Sequence, residues 1–196
     1  MTSTKTHLHD ELREVRAAVL AKLDGLGDHD LRRPMTGTGT NLLGLVKHLA
    51  TWEARYLGEV FARPFPEPLP SPGADMWATE HETRAEITDL YRRVWAHADA
   101  TITALALDAP GHVPWWPSPD VTLFKVLIHL LTETSRHAGH ADILREHLDG
   151  AVGAETAPPS ASDVAKREAR RAEIERIAEV FSPSAAGSAA SGIPRP

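Results

Sequence analysis

A chain of 196 residues, 42% hydrophobic and 24% charged, suffices for one good core and needs no second. A formal charge of -6 supplies no basic stripe to neutralise phosphates, which argues against a nucleic-acid binder. With no cysteine, disulfides, thiolate metal sites and a cysteine nucleophile are excluded.

The opening residues M-T-S-T-K-T-H-L-H-D hold no apolar leader core. No apolar run approaches the ~20 residues that cross a bilayer, so the expectation is a soluble cytoplasmic protein that engages neither membrane nor nucleic acid. Leu8, Leu12, Val15, Val19, Leu23 and Leu26 recur at helical spacing and predict a first helix over residues 7–26, ending at Gly25 or Gly27. The stretch R-R-P-M-T-G-T-G-T-N is a loop by its Pro and Gly content. Thr40 or Asn41 then caps a second helix striped by Leu42, Leu45, Val46, Leu49, Trp52, Tyr56 and Val60. A proline-rich crossing, R-P-F-P-E-P-L-P-S-P-G, stops it.

A third helix is expected over 79–107, carrying Ile87, Leu90, Val94, Ile102 and Leu105. After the connector A-P-G-H-V-P-W-W-P-S-P-D a fourth runs over 122–148, closed by Asp149 and Gly150. No period-two run reads as a strand. The fold class is therefore all-α, a four-helix bundle occupying 1–150. Residues 151–196 read as a linker, a charged extra helix with a thin stripe of Val164, Ile174, Ile177 and Phe181, and a disordered tail over the last fifteen residues.

The fourth helix, L-I-H-L-L-T-E-T-S-R-H-A-G-H-A-D-I-L, carries polar groups where a bundle helix buries apolar ones. At about 100° per residue, Glu133 and His137 fall inside the stripe of Val126, Leu130, Leu144 and Leu148. His140, His129 and Arg136 lie along one flank. A carboxylate facing a core costs several kcal/mol unless paired, protonated or bound to a cation. The i,i+4 spacing of Glu133 and His137 is one by which a helix presents two ligands to one metal. His48, in L-L-G-L-V-K-H-L-A-T-W-E, offers a third from the flank of the second helix, with Gly44 opening room beside it. Two histidines and a carboxylate suit catalytic zinc, or iron, nickel or manganese in a facial triad. A purely structural reading competes: Glu133 paired with Arg136 or another arginine, His137 bonded to a backbone carbonyl, His48 a boundary residue. His129 reads as a packed or supporting histidine.

V-K-H-L-A-T-W-E together with E-T-S-R-H-A-G-H-A-D-I-L-R-E resembles the metal-binding four-helix bundles of the DinB/YfiT-like type, in an actinobacterial subgroup, over Leu8 to Gly150. The resemblance implies divalent-metal ligation by His48, Glu133 and His137. Glutamate at the first paired position is similar to the mycothiol-dependent maleylpyruvate isomerase branch, whose zinc sits in a His-Glu-His set. Characterised relatives include thiol S-transferases and isomerases, so the resemblance implies mycothiol or a similar low-molecular-weight thiol acting on a small electrophile, and a homodimer. His140 is then a candidate proton carrier, Arg136 an anion anchor, and Trp52, Trp77, Trp115 and Trp116 candidate walls of the cleft, with Trp52 the cofactor-binding candidate. Metal-assisted hydrolysis and a non-catalytic metal-holding or stress-response protein are the competing functions. An interaction module built on the tail helix is a fourth.

Overall fold

The computed structural model describes residues 3–154 and 159–182, in two units divided between Ala157 and Pro158. In the first unit Ser3 opens α1 (Thr4–Ala21), its hydroxyl accepting from the Thr6 amide. A single turn, α2 (Asp28–Arg32), follows. Asn41 caps α3 (Leu42–Leu57), its Oδ1 accepting from the Gly44 amide at 2.8 Å. Thr83 and Glu86 form a reciprocal capping box on α4 (Arg84–Ala104). A small hairpin pairs β1 (Pro110–His112) antiparallel with β2 (Asp120–Thr122). Thr122 then caps α5 (Leu123–Asp149), which ends at Gly150 with φ 78°, a left-handed conformation that costs glycine nothing. In the second unit Ser160 caps α6 (Ala161–Glu179), none of whose residues is buried.

α1, α3, α4 and α5 form the four-helix bundle that the periodicity predicts, with α3 against α4 and α5 and α1 against α5. Each buries its apolar stripe, Leu12 and Val19 from α1, Leu45, Leu49 and Leu57 from α3, Val94 and Ile102 from α4, and Val126, Leu130 and Leu144 from α5. Among the described residues no helix is long and apolar enough to cross a membrane.

The structure corrects three expectations. The first helix ends at Ala21 rather than near Gly25, because Lys22 to Gly25 turn while Leu23 stays buried and prolongs the stripe past the helix. The third starts at Arg84, where the capping box stops it. A hairpin exists although no strand is legible, since strands of three residues are too short to show a period. The expected linker and tail fall largely on 155–158 and 183–196, outside the described residues.

One polar group crosses the bundle interior. Arg16, with no solvent exposure, places Nη2 2.6 Å from Glu53 Oε1 and Nη1 2.7 Å from Asp99 Oδ1. Asp99 also accepts from His9 at 2.7 Å and from Arg13 at 2.9 Å. Burial pushes the Glu53 carboxyl upward, and the facing guanidinium opposes it. Arg16→Met strands that carboxylate and is expected to cost about 3–5 kcal/mol in urea unfolding, most of it recovered in the Arg16→Met/Glu53→Leu double variant. A single-variant loss below about 1 kcal/mol would place the pair with solvated surface bridges.

Candidate functional site

α3 and α5 run antiparallel, and their i,i+4 ladders face each other rung by rung. His48, Trp52 and Tyr56 succeed one another on α3; His129, Glu133 and His137 do so on α5. The His48 and His137 rings lie 4.9 Å apart edge to face, and the Tyr56 and His129 rings 4.8 Å apart. The same register sets Trp52 across from Glu133.

A third wall comes from the connector before β2. Trp115 stands edge to face at 5.7 Å from Trp52 and 5.5 Å from Tyr56. Both Trp115 and Trp116 donate their indole N–H to the Tyr56 hydroxyl, at 3.2 and 3.1 Å. These walls, with Leu49, Glu53, Leu130 and Thr134, enclose a cavity of about 240 Å³ into which His48, Glu133 and His137 also face. A larger open trough of about 1040 Å³, lined by Trp116, Ser118, Asp120 and Lys125, shares His129 with it.

The two histidines are prepared differently. His48 Nδ1 donates to Asp75 Oδ2 at 2.6 Å, and the Trp52 indole donates to the same oxygen at 2.9 Å. Asp75 is 2% exposed and accepts a third bond, from the Gly73 amide at 2.9 Å. Burial pushes its carboxyl up, but the bonds from His48 and the backbone prevail and hold it below the usual range. The arrangement fixes the His48 tautomer and leaves Nε2 as the free lone pair. Desolvation, reinforced by the charges of His48 and His140, lowers His137 to about 4. His137 is therefore a neutral donor at physiological pH.

Asp75 reaches His48 because α3 carries glycine at 44. A Cβ there would stand 2.0 Å from the Met76 carbonyl oxygen and 2.7 Å from its carbon. The room that Gly44 opens is thus filled by the segment that supplies Asp75.

Of the residues singled out from sequence, His48, Glu133, His137 and Trp52 converge on the cavity. Glu133 sits at its rim, 30% exposed, where Arg136 Nη1 donates to it at 2.5 Å. Its burial is less severe than its position in the stripe suggests, and it lies 3.8 Å from His137 Nε2. Arg136 and His140 are exposed and line neither wall; His140 Nδ1 approaches His137 Nδ1 at 3.3 Å. Trp77 does not join the cleft, lying 51% exposed beside Thr38, Gly39 and Thr40. The sequence reading did not single out Glu53 and Thr134, which line the cavity, or Asp75, which holds His48 from behind.

Among the described residues, no group of three or more His, Asp or Glu side chains already stands in metal-holding geometry. The chemistry of the donor set nonetheless fits a divalent ion: a neutral imidazole, a second imidazole held from behind by a buried carboxylate, and a rim carboxylate.

The family model described as mycothiol-S-transferase matches residues 7–150. A crystal structure described as a conserved protein from Enterococcus faecalis shares the fold, with a TM-score of 0.53 at 14% identity over 74% of this chain and 97% of that one. No curated protein matches the chain significantly.

Two outcomes follow from this geometry. Gly44→Ala is expected to lower the melting temperature by the equivalent of about 1–3 kcal/mol through collision with Met76, although alanine favours the helix by ~1 kcal/mol; a higher melting temperature would show that the segment yields. In metal-free protein, NMR titration of the His137 ring is expected to give a midpoint near 4. His48→Gln removes a like charge and should raise that midpoint; an unmoved midpoint would mean that burial alone sets it.

Proposed function

This chain belongs to the mycothiol-S-transferase family, and from that premise we propose that it is a divalent-metal-dependent transferase joining mycothiol, or a similar small thiol, to a small electrophile. The observation that carries the reading is His48, fixed by buried Asp75, set 4.9 Å from the neutral His137 ring at an aromatic-walled cavity. His48 Nε2, His137 and Glu133 are the residues that would hold the ion, with zinc the first candidate and nickel, iron or manganese also compatible. The chemistry such an ion supplies is a lowered pKa for a bound thiol.

The chain's own groups do the rest. Asp75 orients His48 and raises its basicity as a donor. Arg136 holds the Glu133 carboxylate at the rim. Trp52, Tyr56 and Trp115 exclude water from the electrophile. His140, exposed and adjacent to His137, takes the thiol proton as the sulfur–carbon bond forms, and passes it to the oxygen released when a carbon–oxygen bond of the electrophile opens, or to solvent when a halide leaves with the bonding pair. The trough beyond His129 has the size for the body of the thiol.

Mass spectrometry of the purified protein is expected to find stoichiometric divalent metal, absent in Glu133→Ala and His137→Ala. Asp75→Asn should bind it roughly 10–100-fold more weakly. With mycothiol present, a chloronitrobenzene should be consumed and its absorbance shifted. Turnover without any thiol would instead indicate hydrolysis, and a metal unperturbed by either reactant would indicate a holding protein.

A further inference from the structure

Thr134 breaks a habit of this protein. Threonines in the interior of its helices turn their hydroxyls back on a carbonyl of the preceding turn: Thr51 to Lys47 at 2.8 Å, Thr103 to Asp99 at 2.7 Å, Thr132 to Ile128 at 2.8 Å, Thr101 to His97 at 3.3 Å, and Thr88 to Ala85 at 3.1 Å. Thr134 is 1% exposed and sits mid-helix on α5, yet its hydroxyl has no hydrogen-bond partner among the described residues. It does not take the Leu130 carbonyl that the same geometry offers. Leaving a hydroxyl unpaired in an interior is costly, and the residue lines the cavity beside Leu130 and Glu53.

The two carboxylates at the cavity are already paired with arginines. Glu53 faces Arg16 at 2.6 Å and Glu133 faces Arg136 at 2.5 Å. The walls are rings, and the volume of about 240 Å³ lies below the ~300–1,000 Å³ typical for drug-sized ligands.

From these observations we propose that the cavity takes a small ring compound bearing a hydrogen-bond-accepting oxygen, and that the Thr134 hydroxyl donates to that oxygen. This rests on the transferase reading only in naming the compound as the electrophile. Thr134 positions the ring against the Trp52, Tyr56 and Trp115 wall, with its oxygen fixed and its reactive carbon turned to the histidines. The residue discriminates an oxygenated ring from a plain hydrocarbon of the same shape.

Binding of unreactive probes tests this without thiol or turnover, so loss of transferase activity in the preceding assays leaves it standing. Acetophenone and ethylbenzene share a ring and nearly a shape, and differ in the accepting oxygen. Followed by quenching of tryptophan fluorescence, acetophenone is expected to bind the wild type about fivefold more tightly than ethylbenzene, the worth of one hydrogen bond. Thr134→Val, nearly isosteric, should abolish that preference, and Thr134→Ser should keep it. The valine variant should also melt no lower than wild type, since its hydroxyl has no protein partner to lose. Equal affinities in the wild type, no saturable binding of acetophenone, or a preference surviving in Thr134→Val would each overturn the assignment. So would a markedly lower melting temperature for Thr134→Val, which would make the hydroxyl a structural donor.

Discussion

The geometry of the candidate site depends on a charge pair buried behind it. Arg16 spends its guanidinium on Glu53 of α3 and Asp99 of α4, so one side chain of α1 binds two neighbouring helices in fixed rotation. Replacing such a pair by matched apolar groups is often neutral or stabilising, while removing one partner is not. Its contribution here is orientation. With Glu53 locked inward, the helical repeat sends His48, Trp52 and Tyr56 to the side of α3 that meets α5, and the cavity forms along that seam.

The second constraint is irregular backbone held as firmly as a helix. The crossing between α3 and α4 has little secondary structure of its own, yet it is pinned at many points. Arg55 donates to the Pro70 carbonyl, Lys47 to the Trp77 carbonyl and to Glu82, and Arg93 to Glu67. His97 donates to the Arg63 carbonyl. These anchors let a loop carry a buried carboxylate, which would otherwise bring an unsatisfied charge into the interior. Gly44 admits the loop, Asp75 meets His48, and the imidazole is set before any ligand arrives.

Much of this was legible in the residues and some was not. Caps and stripes at helical spacing located α3 and α5 almost to the residue, because both rules are local. The Glu133–His137 ladder and the flank position of His48 followed from spacing, whereas the opposition of Tyr56 to His129 comes from the packing of α3 on α5. Glu53 and Arg16 carried the same signal as Glu133, a charge at an apolar stripe: Glu53 lies roughly 40° from Leu49 around α3, and Arg16 roughly 40° from Leu12 around α1. The angular test that singled out Glu133 identifies them equally. Asp75, in S-P-G-A-D-M-W, has no periodicity around it, and only the tertiary approach of Met76 to Gly44 reveals it. For Thr134 the informative observation is a missing bond, which no sequence displays.

Composition then limits how such a cavity can work in a thiol transfer. The chain has no cysteine, and no methionine thioether can become a thiolate, so the nucleophilic sulfur has to arrive on a small molecule. Two ligands must then meet. The small inner cavity and the larger trough share His129, whose imidazole is kept toward its neutral form by burial and by the charges of Lys125 and Arg136, against the pull of Glu133. A neutral ring at that junction repels neither reactant and accepts or donates one hydrogen bond. On the proposed reading, the division would give the electrophile the dry, aromatic side and leave the polar body of the thiol in reach of water. On the proposed reading, the histidine pair stands where sulfur and carbon would be brought together.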